Sequence, residues 1–170
     1  MSVSSALYTT SHEKASSVPY NPKHMSESFF VSLLLGSSIK FPWQNGIQLS
    51  HTTELKVTHN RVDIVYFEEK EAGEVGAVVA VEAKLKDWKK ALRQAYRNHL
   101  FADRVYVALP SAHASSAIKN ISQFRQTSVG LIVWEDSRAK VYYHPPKNRS
   151  VSRWHASSVR TSLEALVSGK

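Results

Sequence analysis

Residues 61–67 read RVDIVYF, and residues 78–110 read VVAVEAKLKDWKKALRQAYRNHLFADRVYVALP. The first stretch is β-branched and aromatic, and it follows the turn-like Thr58-His59-Asn60 and an earlier strand-like run at 52–57, TTELKV. Alternation along it predicts Val62, Ile64 and Tyr66 on one face and Asp63, Val65 and Phe67 on the other. A polar turn at Glu68–Glu74 leads into Val75–Leu85, a nearly continuous apolar run with its charges late, the pattern of a central strand. From Asp87 the residues Trp88, Ala91, Leu92, Ala95, Tyr96 and His99 recur at helical spacing, which predicts an amphipathic helix over three turns. Its other face carries Lys89, Lys90, Arg93 and Arg97. Arg104–Leu109 then reads as a strand stopped at Pro110.

The flanking sequence extends this pattern. Ser26 can cap a helix through Leu35, with Phe30 and Leu34 as an i, i+4 apolar pair, Glu27 in the first turn and Gly36 at its end. Residues 113–126 fit a helix through Ala117, Ile118, Ile121 and Phe124. Residues 129–135 and 139–143 fit two further strands, and a short helix is expected around Leu163–Val167. Helix, three strands, helix, strand, helix and two strands predict an α/β protein with a mixed central β-sheet flanked by α-helices.

Serine usage divides the chain: residues 1–38 hold 11 serines and residues 51–110 hold none. The reading is a flexible Ser-rich segment at 1–24, an ordered domain at 25–146 and a basic tail with a short helix at 147–170. Among 170 residues, 22 are Lys or Arg and 14 are Asp or Glu, for a formal charge of +8, which favours a polyanionic partner. Cysteine is absent, which excludes disulfides and thiolate catalysis and fits a cytoplasmic location. No membrane-spanning run or secretory leader is apparent. The histidines show no zinc-site spacing, and no glycine-rich phosphate loop occurs.

The chemical signal lies in Asp63 and the Glu82-Ala83-Lys84 tripeptide. Positions i and i+2 of a strand share a face, so Glu82 and Lys84 are expected to project together, with Asp63 on a pairing strand. Two carboxylates and a main-chain carbonyl, that of Ala83, suit a hard divalent cation such as Mg²⁺. A neighbouring lysine can orient an attacking water and offset phosphate charge. Glu27 and Glu54 are alternative third acids. The stripe Lys86, Lys89, Lys90, Arg93 and Arg97 is a candidate phosphate-contacting face, and Lys147, Arg149, Arg153 and Arg160 around Trp154 form a second basic run.

The stretch from Arg61 to Pro110, with its aspartate strand, E-x-K strand, basic helix and following strand, resembles the PD-(D/E)XK nuclease superfamily, and the likeness extends over about residues 27–143. The resemblance implies a restriction-endonuclease-like core and Mg²⁺-dependent cleavage of DNA, with Mn²⁺ able to substitute. Asp63 and Glu82 would then be metal ligands, Lys84 the catalytic lysine and Glu27 an auxiliary ligand. Val62 stands where many members have proline. Gln94 matches the first position of the Q-x-x-x-Y motif of the RecB-like branch and is expected at the site, but Asn98 stands four residues later, so that branch is not assigned. The expected function is a DNA endonuclease, acting as a homodimer. The alternatives are a nuclease subunit of a larger defence, recombination or transposition complex, and a non-catalytic DNA-binding module on the same fold.

Overall fold

A computed structural model describes residues 25–37 and 39–169, so the Ser-rich segment expected to be loose at 1–24 lies outside the described residues. The chain forms six strands and five α-helices among these residues: α1 (Glu27–Gly36), β1 (Leu49–Val57), β2 (Asn60–Glu69), β3 (Val75–Ala83), α2 (Trp88–Arg97), β4 (Arg104–Pro110), α3 (Ser111–Lys119), α4 (Ile121–Thr127), β5 (Gly130–Glu135), β6 (Arg138–Tyr143) and α5 (Arg153–Ser168). The strands make one sheet in sequence order, β1 to β6. The β1–β2, β2–β3 and β5–β6 pairs are antiparallel, and β3–β4 and β4–β5 are parallel.

Each connection has a local cause. The β5–β6 hairpin turns through Asp136 and Ser137, both with positive φ, which matches the strand twist. The parallel pairs need crossovers, supplied by α2 and by α3 with α4. Ser26 caps α1 by accepting the Phe29 N–H at 3.1 Å, and Asp87 caps α2 by accepting that of Lys90 at 2.9 Å. The mixed sheet flanked by helices agrees with the sequence reading.

Two apolar layers cover the sheet. Val78, Ala80, Val105, Val107 and Leu131 pack on one face against Ala91 and Leu92 of α2, Phe124 of α4 and Leu163 of α5. On the other, Val79, Val81, Tyr106 and Ile132 pack against Phe30 and Leu34 of α1 and against Phe41. Val62 departs from the expected alternation. It joins Val65 and Phe67 in the first layer while Ile64 and Tyr66 face the second, so the pleat slips at Asp63. On the opposing strand Glu54, between the pairs Thr53–Ile64 and Leu55–Val62, has a left-handed φ of 53°.

Three helical expectations are corrected. The helix expected at 113–126 is two, α3 and α4, divided at Asn120, whose amide Nδ2 donates to the Ser116 carbonyl at 2.8 Å. In α2 the exposed side includes Tyr96, expected on the apolar stripe. The short helix expected near Leu163–Val167 is the 16-residue α5, whose Ala156, Val159 and Leu163 enter the core. Arg160, read as part of a basic surface run, binds inward: its guanidinium donates to the Val75 carbonyl at 2.9 Å, to the Gly76 carbonyl, and to Asp103 at 3.2 Å. Buried Asp103 also accepts the Val78 N–H at 2.9 Å. Among the described residues no helix is long and apolar enough to cross a membrane.

Since Leu163 is fully buried, Leu163→Ala is expected to lower unfolding stability by about 2–5 kcal/mol, the range for a buried leucine truncated to alanine. Denaturant titration followed by circular dichroism checks this; an unchanged midpoint would mean that α5 contributes nothing to the fold.

Candidate functional site

The register Ile64–Val81 brings β2 and β3 together up to Asp63 and Glu82, where regular pairing stops. There the Ala83 N–H donates at 2.8 Å to Asp63 Oδ2, so a carboxylate takes the place of a strand carbonyl. Ending a ladder this way fixes the carboxyl group at the strand tip and satisfies a buried donor. Glu82, 3% exposed, points to the α2 side, where Asn98 Nδ2 donates to its Oε1 at 2.8 Å. Asp63 and Glu82 lie close enough for each to perturb the ionisation of the other. Each acid is thus held through one oxygen by a neutral N–H donor.

β3 ends at Ala83, so Glu82 and Lys84 do not extend together from a strand as the i, i+2 pattern predicts. The chain bends, the Lys84 N–H donates to the Ala108 carbonyl at 3.1 Å, and the Lys84 ammonium meets Glu27 Oε2 on α1 at 2.5 Å. Lys84 nonetheless stays within electrostatic reach of both acids, lowering the pKa of each. The cluster of Glu27, Asp63, Glu82, Lys84 and Asn98 therefore draws on both layers and meets at the sheet end.

The alternative third acids part company. Glu27 raises the pKa of Asp63 through its charge, whereas Glu54 lies on the exposed edge and binds Arg61 at 3.2 Å. Among the described residues no group of three or more His, Asp or Glu side chains is gathered as a metal cluster. Neither alternative third acid completes such a group with Asp63 and Glu82: Glu27 pairs with Lys84 and Glu54 with Arg61. Gln94 is half-buried one helical turn before Asn98, its Oε1 buried with no hydrogen-bond partner. Asn98 was not singled out by the sequence as a site residue; its signal was the i, i+4 spacing from Gln94, which puts both amides on one side of α2. Lys86, Lys89, Lys90, Arg93 and Arg97 are all exposed. A cleft of about 1020 Å³ lies elsewhere, between α3 and the β5–β6 hairpin.

No family model matches the chain, and no curated protein does. Among solved structures, it is similar to a protein of unknown function from Silicibacter pomeroyi, with a TM-score of 0.56 and 13% identity over 86% of this chain and 88% of that one. A likeness at this identity concerns the fold.

Burial pushes the Glu82 carboxyl up to about 7, and the charge of Asp63 adds to the rise, while the Asn98 hydrogen bond and Lys84 oppose it. Burial raises Asp63 as well, against the Ala83 N–H and Lys84. Two partly desolvated acids whose charges oppose each other cannot both ionise without penalty. An acid whose folded pKa is raised binds its proton more tightly in the native state. The stability this supplies is complete below the ordinary value of 4.5 and is lost as pH rises toward about 7. In chelator-treated protein, the melting temperature is accordingly expected to fall between pH 5 and pH 8, and Glu82→Gln to flatten that slope. Equal slopes in the two proteins would show that the carboxyl is not strained by its surroundings.

Proposed function

We propose that this chain is a metal-dependent nuclease that hydrolyses DNA phosphodiester bonds, built on a restriction-endonuclease-like core. The observation that carries this reading is the convergence of two partly desolvated carboxylates, Asp63 held by the Ala83 N–H and Glu82 by Asn98, at the tip of a central strand within reach of the Lys84 charge. Structural ion pairs also perturb pKa values, but two partly desolvated acids set close together are an arrangement that a fold has no stability reason to keep.

The donors fit a hard divalent cation. Both acids are oxygen ligands, each anchored through a single oxygen, and a cation beside them would relieve the repulsion between their charges. Mg²⁺ retains several waters, so Asp63, Glu82 and the Ala83 carbonyl are a sufficient protein share, with Mn²⁺ an equivalent guest. When bound, such an ion polarises a phosphate oxygen and offsets the charge that develops on it. The chain's own residues do the rest. Asn98 fixes the orientation of Glu82, Glu27 restrains Lys84, and Lys84 orients the attacking water and offsets phosphate charge. The exposed stripe from Lys86 to Arg97 then provides phosphate contacts leading toward the site.

Wild-type protein incubated with supercoiled and linear DNA in Mg²⁺ or Mn²⁺ is expected to cleave. Asp63→Ala should lose both cleavage and calorimetric metal binding. Lys84→Ala should keep metal binding but slow cleavage by about 10²-fold, the usual scale of a lost electrostatic or proton-handling group. Identical behaviour of wild type and Asp63→Ala on every DNA form would overturn the reading.

A further inference from the structure

On the outer side of the C-terminal end of α2, two adjoining clefts of about 550 and 460 Å³ share His99, Ser128 and Asn148 as walls. No aspartate or glutamate lines either cleft, whereas Arg97, Lys147 and Arg149 do. All three cations are exposed, and the acid that Lys147 meets, Asp103 at 3.6 Å, is buried behind the groove and shared with Arg160. The large cleft beside the β5–β6 hairpin differs, since Glu135 and Asp136 sit among its cations.

The groove also presents an aromatic face. Tyr96 is 56% exposed, an unusual place for a ring at the rim of a cationic cleft. It is held edge-on by His99, with ring centroids 5.5 Å apart at 79°. His99 is fixed in turn by its Nε2–H donating to the Thr127 carbonyl at 2.9 Å. The floor is equally braced: Asn148 Nδ2 donates to the His99 carbonyl at 2.7 Å, and Asn148 Oδ1 accepts the Ser150 N–H at 3.0 Å. A preformed channel with exposed cations for a phosphodiester backbone, no acid on its walls, and an exposed ring for an unpaired base combines the two elements of single-strand binding.

We infer that this groove captures single-stranded nucleic acid, through Arg97, Lys147 and Arg149 on the backbone and Tyr96 on a base. The inference deepens the nuclease reading, on which the choice of a nucleic acid over other polyanions rests. It assigns the substrate, or its flank, an unpaired segment.

Binding is read by fluorescence anisotropy of labelled oligothymidylate on the full chain carrying Asp63→Ala, in chelator, so that capture is measured whether or not the chain cleaves DNA. Adding Arg97→Ala with Arg149→Ala is expected to weaken binding at least about tenfold and to reduce the salt slope by about 0.7 for each lost phosphate contact. Lys119→Ala with Lys140→Ala removes equal charge elsewhere and should change binding little. Tyr96→Ala should weaken the single strand about fivefold or more while sparing blunt duplex, and Tyr96→Phe should restore it. Equal losses from both charge pairs, an equal effect of Tyr96→Ala on duplex, or displacement by polyglutamate as effective as by unlabelled oligonucleotide would overturn the assignment. Absence of cleavage by the wild type would count against the nuclease reading alone.

Discussion

Ala83 gives its N–H to the side chain of Asp63, and the arrangement of the strand tip follows from that one bond. In a continuing antiparallel pair the donor would meet a carbonyl of the neighbouring strand. Here β2 supplies a carboxylate, so β2 and β3 separate at a defined residue, and β3 stays with its parallel neighbour through the bond from Lys84 to Ala108. Burial works against the Asp63 charge, and the N–H donor partly compensates it. The acid, the end of the sheet ladder and the bend that delivers Lys84 are therefore one feature.

A sheet normally keeps the side chains of its two faces apart. The candidate site needs both: Glu82 is reached by Asn98 from the α2 layer, while Lys84 is reached by Glu27 from the α1 layer. These groups converge where β3 has lost its pairing with β2, although Glu82 is still paired with Val107 of β4. This is the usual reason for chemistry at the C-terminal ends of strands in α/β proteins, where side chains and loops from both layers converge.

Much of this was legible in the chain because it depends on periodicity. The apolar run to Glu82, the stripe Trp88–Ala91–Leu92–Ala95 and the order of elements require only spacing. What depends on register and dihedral angles was not legible. Glu27 and Glu54 looked equivalent until the left-handed turn at Glu54 and its bond to Arg61 set it on the edge. Val62 was placed on the wrong face because the pleat slips at Asp63. The helix α5 was obscured by its own charges: Ala156, Val159 and Leu163 have core spacing, but Arg153 and Arg160 make the segment read as a surface tail. An arginine that bonds inward has the same letter as one that binds a phosphate, and only the packing separates them.

The placement of Arg160 also bears on the order in which the molecule can be completed as it is synthesised. All six strands have been made once Tyr143 has been added, yet Asp103 then sits among them without its guanidinium partner. Asp103 keeps the Val78 N–H and, once residue 147 has been added, the Lys147 ammonium, but not the closer pairing with Arg160. A nascent chain that has not yet extended to residue 160 thus lacks the guanidinium that ties α5 to the start of β3 and to Asp103.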